Sequence, residues 1–317
     1  MRRSLLIVLL AVAALLLPAA TANAITFGQP DGNLHPNVGA LVADWDEESP
    51  GPDVFCSGTL IAPTVFITAA HCIASLEARE ITEVWVTFAS DYDEDAASPG
   101  GLIAGTPVAH PEFGAGGASD THDIAVVLLE QAPTGITPAQ LPTAGLLDQL
   151  KASQQLRTQT FTAVGYGTVR EEKTGGPHGF LEAEGVRMYA LQSALNLEKA
   201  WLLLSMNPST GSGGTCYGDS GGPHFLGGVE SNLIVSITIT GDAMCRATDK
   251  TYRLDTEAAR DFLGRLRHPA LMWPPPQRCA AFRPGIHRIS PLDAFVRVRL
   301  HLRDVAGSRP RSAWLAN

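Results

Sequence analysis

The chain has 317 residues, with 23 Lys and Arg against 32 Asp and Glu and a formal net charge of −9. That length holds one large or two ordinary domains with ample core, and the acidic balance argues against a nucleic-acid surface. Hydrophobic residues at 45 %, with 31 Gly and 22 Pro, fit a globular, turn-rich protein built mainly of strands.

Residues 1–24 read as an export signal. Arg2 and Arg3 open the chain, Leu5 to Leu17 is unbroken and apolar, and Ala22-Asn23-Ala24 is a small-x-small cleavage site. The apolar run falls short of the roughly 18 residues that span a bilayer, and its strong hydrophobicity favours the general secretory route over twin-arginine export. The expectation is a secreted protein, extracellular or periplasmic, with no membrane span once mature. Ala20-Thr21-Ala22 is a competing cleavage site.

His35 to Val42 reads as a first strand, followed by an acidic turn at Asp44 to Glu48 with Pro50-Gly51-Pro52. Val54 to Ile61 and Val65 to Ala70 are β-rich runs split by Pro63-Thr64, a hairpin signal. The second run ends at His71, where a strand stops and a loop exposes the ring. Val84 to Phe88 is a further strand. Asp91 to Asp95 gathers carboxylates of the kind calcium prefers, but the spacing matches no calcium motif, and the reading is a solvated loop.

Asp123 opens the apolar run Ile124 to Leu129, read as a buried strand. A carboxylate at the lip of such a run is desolvated and needs a partner. Ala132 to Pro142, rich in Pro, Thr and Gly, reads as a connection between two halves. Thr160 to Gly167, Ile234 to Thr240 and Tyr252 to Leu254 read as strands. Asp255 stands as N-cap to a helical run ending at Leu263. Residues 268–317 change character, with Pro274-Pro275-Pro276, several arginines and Cys279, and read as a disordered or loosely attached tail, with a surface-binding appendage as the alternative.

The stretch Gly214-Thr215-Cys216-Tyr217-Gly218-Asp219-Ser220-Gly221-Gly222-Pro223 sets one serine among small residues. Glycines beside a hydroxyl let backbone N–H groups approach a reacting centre. The N–H groups of Gly218 and Ser220 are placed to converge on one oxygen and stabilise charge developing there. Upstream lie Thr68-Ala69-Ala70-His71-Cys72 and His122-Asp123-Ile124-Ala125. These three motifs, in the order histidine, aspartate, serine, resemble those of the trypsin/chymotrypsin-like serine peptidases over roughly residues 25–264.

That resemblance implies an all-β fold of two antiparallel Greek-key barrels, residues 25–133 and 134–267, the second ending in a closing helix. The active site would lie in the cleft between them. It implies catalysis by Ser220 as nucleophile, His71 as general base and acid, and Asp123 orienting His71, with Gly218 and Ser220 as oxyanion donors. It also implies disulfides Cys56–Cys72 and Cys216–Cys245, leaving Cys279 without a partner. Ile25-Thr26-Phe27-Gly28 resembles the start of activated members, whose new α-amino group pairs with the carboxylate before the serine, here Asp219.

By the same resemblance, Gly214, Ser236 and Thr238 belong to the substrate pocket. Gly214 stands where trypsins carry an aspartate, Thr238 narrows the entrance, and Lys250 falls nearby, where it would favour an acid. The lean is toward small or medium apolar side chains. No cofactor and no metal are implied. Expected partners are polypeptide substrates and proteinaceous inhibitors, with no nucleic acid, for a monomeric enzyme.

Two other readings share these motifs: an inactive relative serving as a binding module, and a secreted esterase using the same triad. The esterase pattern Gly-x-Ser-x-Gly with a later histidine is absent. Metal-dependent hydrolysis lacks a paired-histidine motif, since His110, His122, His178 and His224 are scattered along the sequence; His110 reads as structural and His224 as a loop residue.

Overall fold

Short β-branched and apolar runs separated by Gly and Pro turns cannot each bury a face alone, and closing them into barrels removes exposed edges. A computed structural model describes residues 25–45, 52–92, 101–170, 180–181 and 185–266. The signal segment, Asp93 to Asp95 of the acidic loop, and the tail with Cys279 lie outside the described residues.

After a two-residue strand β1 (Gln29–Pro30), the first barrel is built from β2 (Val38–Ala43), β3 (Asp53–Ala62), β4 (Val65–Thr68), β5 (Trp85–Thr87), β6 (Ile103–Ala109) and β7 (Ala125–Leu129). They close in the order β2-β3-β4-β7-β6-β5, with β5 returning to β2. Leu41, Leu60, Phe66, Val86 and Val127 fill its interior. Gly58 leaves room for the Phe66 ring, whose Cζ would stand 2.6 Å from any added Cβ.

The second barrel uses β8 (Thr160–Gly165), β11 (Met188–Leu197), β12 (Trp201–Ser205), β13 (Pro223–Leu226), β14 (Ile234–Gly241) and β15 (Thr248–Arg253), with a small hairpin of β9 (Val169–Arg170) and β10 (Phe180–Leu181) after β8. The order β11-β12-β15-β14-β13-β8 closes through β8 on β11, and β1 adds to the outer side of β11. The fold is therefore two closed six-stranded antiparallel barrels, as the resemblance implied.

The described residues hold three α-helices: α1 (Ala70–Ala78), α2 (Leu146–Ala152) and α3 (Glu257–Leu266). The last buries Ala259, Phe262, Leu263 and Leu266 along one face, at the spacing of a surface helix. His71 thus sits in the first turn of α1 rather than in a loop. Asp255 does not cap α3: its carboxylate accepts from Leu147 N at 2.8 Å and pairs with Arg253. The N-terminal turn of α3 is held by Thr256 Oγ1 instead, which accepts from Ala259 N at 3.4 Å.

Both implied disulfides form, Cys56–Cys72 and Cys216–Cys245, closing separations of 16 and 29 residues. Loops of that size make each worth about 3–4 kcal/mol. A buried polar cluster joins the barrels. Arg187, fully buried, donates from Nε to Asp31 Oδ2 at 2.8 Å and from Nη1 to Val38 O, Phe88 O and Tyr166 Oη, while Nη2 reaches Gly32 O.

Candidate active site

The N-terminal turn of α1 leaves N–H groups without intrahelical partners, and Ala69 at its start has no side chain to cap them. Asp123 fills that role from just ahead of β7. Its Oδ1 accepts from His71 N and its Oδ2 from His71 Nδ1, both at 2.9 Å. The Asp123 side chain is 7 % exposed and the His71 side chain 33 %. A carboxylate only accepts, so Nδ1 carries the proton and Nε2 presents a lone pair. The imidazole is held in the tautomer of a proton acceptor.

The serine loop packs against the same barrel. Ser57 N donates to Ser220 O at 2.9 Å, and Ser57 Oγ donates to Gly218 O at 3.1 Å while accepting from Tyr166 N. Thr68 Oγ1 donates to Ser57 O at 2.8 Å. Gly221 has φ of +81° and lies so close to Thr68 and Ala69 that a Cβ would stand 2.7 Å from Ala69 N. The loop carrying Ser220 therefore rests on the strand end that leads to His71. Among the described residues the Ser220 hydroxyl makes no hydrogen bond, and neither Gly218 N nor Ser220 N has an acceptor.

Beside Ser220 a cavity of about 250 Å³ is lined by Thr215, Cys216, Tyr217, Thr238 to Ala243, and Cys245. Thr238 is in its wall. Ser236 is not: it is buried in the barrel and accepts from Thr251 Oγ1 at 2.8 Å. An irregularity of register between Thr238 and Thr240 carries the wall along to Gly241 and Asp242. Gly214 lies behind the lining, packed against Met206 and Gln192. Lys250 does not enter the cavity; its ammonium sits 4.2 Å above the Trp201 ring. His224 is a fully buried residue of β13, not a loop residue, and its Nε2 lies 3.0 Å from Thr238 Oγ1.

Two contributors had no sequence signal. Ser57 looks like any polar position of a strand. Asp249, fully buried, accepts from Thr215 Oγ1 at 2.7 Å and Gln192 Nε2 at 3.0 Å, its Oδ1 without a partner among the described residues. Its bond to Thr215 and its pairing with Gly241, both lining residues, set it behind the cavity wall, which the sequence spacing alone does not reveal.

Asp219 is fully buried, and its carboxylate accepts from Gly167 N at 2.7 Å and Cys216 N at 2.8 Å. Burial is the largest influence and lifts the carboxyl from 3.8 to about 7, against those two hydrogen bonds and with the negative charge of Asp249 adding to the rise. Ile25 is fully buried among Met188, Ala190 and Val186, and Thr26 exchanges hydrogen bonds with Gly214. In the uncleaved chain the Ile25 nitrogen is an amide, and no cation touches Asp219 among the described residues.

The raised carboxyl has a consequence for stability. Between about pH 4 and pH 7 the folded chain holds a proton that the unfolded chain has released, so stability falls as pH rises through that window. At 1.36 kcal/mol per unit the full loss is roughly 4 kcal/mol. Asp219→Asn in the uncleaved chain is expected to remove this part of the pH dependence. Urea unfolding of both chains at a series of pH values checks it; parallel curves would contradict it.

A trypsin family profile matches residues 42–258. A trypsin of Saccharopolyspora erythraea is 28% identical over 225 residues, covering 69% of this chain and 88% of its own. A glandular kallikrein of Sus scrofa is 26% identical over 215 residues, covering 62% of this chain and 78% of its own. The glucanase inhibitor protein 3 of Phytophthora sojae is 28% identical over 178 residues, covering 55% of this chain and 63% of its own. Among solved structures, a collagenase superposes with a TM-score of 0.53 at 16% identity, covering 76% of this chain and 97% of its own. Two barrels, two disulfides, a histidine bonded through ring and backbone to one aspartate, and a profile spanning both barrels agree: the chain belongs to the trypsin family.

Proposed function

We propose that the protein is a secreted serine endopeptidase that cuts polypeptides through an acyl-enzyme on Ser220. The observation that carries this reading is the two-point hold of Asp123 on His71, which leaves Nε2 free to accept a proton. Ser220 Oγ attacks the scissile carbonyl as His71 Nε2 takes its proton, and the new oxyanion is met by Gly218 N–H and Ser220 N–H. His71 then gives the proton to the departing amine. Water repeats the sequence to release the acid. Catalytic hydrogen bonds are often open without substrate, and the unbonded Ser220 hydroxyl is consistent with that.

Removal of residues 1–24 would free an α-amino group at Ile25 to pair with Asp219, whose buried carboxyl touches no cation among the described residues. Such pairing would shape the oxyanion site, so export itself would switch the enzyme on. N-terminal sequencing of secreted protein checks this, and a start at Asn23 would rule it out. The two disulfides accord with an oxidising compartment, and among the described residues no helix is long and apolar enough to cross a membrane.

A fluorophosphonate probe tests the central reading. Covalent labelling of the mature protein at Ser220, lost in Ser220→Ala, with cleavage of a peptide library, is the expected result. A folded mature protein that takes no label would instead favour the binding-module reading. The inhibitor-named relative from Phytophthora sojae keeps that reading open.

A further inference from the structure

His110 and His122 lie twelve positions apart in sequence, yet the fold stacks their rings with centroids 4.7 Å apart and an interplanar angle of 20°. Glu112 joins them, so that one ring nitrogen of each histidine and a Glu112 carboxylate oxygen all lie within 4.8 Å of one another. We propose that His110, Glu112 and His122 form a site for a zinc-class divalent cation, beside the segment that carries Asp123.

The state of the His122 ring points to a ligand. Its side chain is 14 % exposed, and its Nδ1 is buried with no partner among the described residues. Its Nε2 faces Glu112 Oε2 at 3.7 Å and Asp120 Oδ2 at 3.9 Å, both beyond hydrogen-bonding reach. Those separations approach the roughly 3.3–3.6 Å between neighbouring ligands of a tetrahedral ion with bonds of about 2.0–2.2 Å. Two imidazoles and a carboxylate are a set that zinc favours over calcium or magnesium.

The surroundings fit a cation. Glu112 and Asp120 bring negative charge close to the ring pair, and Arg265 opposes it. The Glu112 side chain is 68 % exposed and free to turn inward. Asp120 Oδ1 is engaged by Tyr252 Oη and His122 N, leaving Oδ2 as a fourth ligand in competition with water. Glu112 N donates to His110 Nδ1 at 3.1 Å, and occupation replaces that bond.

An ion here grips both sides of Asp123. His110 N donates to Ile124 O and Ile124 N to His122 O, each at 2.9 Å. The site is a brace for the residue that positions His71, and its binding is measurable whether or not the protein is a peptidase.

Calorimetric titration of the mature protein with zinc chloride is the test, against His110→Gln, His122→Asn and His71→Gln. One ion per chain is expected, with affinity lowered at least about tenfold in the first two variants and unchanged in the third. Absence of saturable binding, retention in both His110→Gln and His122→Asn, or loss in His71→Gln would overturn the proposal. If those two variants do not fold, cobalt added to the unaltered protein decides. Strong visible absorption of a four-coordinate ion supports the site, and the weak bands of a six-coordinate ion refute it.

Discussion

Asp123→Asn is expected to cut turnover about 10⁴-fold while leaving the fold in place, a magnitude taken from Ser-His-Asp enzymes in general. The geometry says why the loss is so specific. The asparagine oxygen can still accept from His71 N, as Asp123 Oδ1 does at 2.9 Å, so α1 keeps its N-terminal hold. Its amide group then faces His71 Nδ1, and an amide donates where the carboxylate accepted. The ring answers by moving its proton to Nε2, and the lone pair that should take the Ser220 proton disappears. The imidazolium formed in the reaction also loses its counter-charge. Rates of fluorophosphonate labelling and of peptide cleavage should fall together, with unfolding free energy nearly unchanged. A variant that labels at the normal rate would remove Asp123 from the mechanism.

The residues proposed for this chemistry stand out in the sequence because each sits in a short motif whose neighbours are also constrained. Gly221 must hold a positive φ against Thr68, and Asp219 must fit a fully buried niche, so the stretch around Ser220 carries its own signature. The strands β3, β4 and β8 were legible for a simpler reason, short β-prone runs bounded by Pro or Gly, while β7 showed as an unbroken apolar run behind Asp123 and β14 as an alternation of branched apolar and polar residues. What escaped depended on distant partners. The strand β11 shows a two-residue burial rhythm, yet its sequence mixes Ala, Gln, Ser and Asn with Leu. Ser236 and Gly214 were misplaced because facing depends on distant partners: Ser236 turns inward to Thr251, and Gly214 packs behind the lining on Met206 and Gln192. His110 and His122 read as scattered because only the return of β7 alongside β6 brings them together. Arg187, between a loop and an unrecognised strand, gave no sign that it would be fully buried.

Arg187 carries the other large effect. Arg187→Met is expected to destabilise the protein by about 3–5 kcal/mol, because it strands a buried carboxylate. Asp31 and Arg187 are both fully buried, and the guanidinium also satisfies the carbonyls of Gly32, Val38 and Phe88. Burial pushes the Asp31 carboxyl up, but the hydrogen bond from His35 and the charge of Arg187 outweigh it and hold the carboxyl below its ordinary value. A depressed carboxyl stabilises the folded state above its unfolded value of 3.8, and that contribution fades as pH falls through the folded value. The gap between the unaltered protein and Arg187→Met should therefore narrow in acid, where a protonated Asp31 no longer needs the cation. Adding Asp31→Asn to Arg187→Met should recover part of the loss at neutral pH, but not all, since the guanidinium's hydrogen bonds to the three carbonyls stay lost. Urea unfolding at neutral and acidic pH reads both effects. The loss should also reach the serine loop, since Met188, next to Arg187, packs on Ile25, and Thr26 is hydrogen-bonded to Gly214. Labelling of Ser220 by a fluorophosphonate should slow in Arg187→Met even under conditions where the variant is fully folded. A normal labelling rate there would confine Arg187 to holding the barrels together.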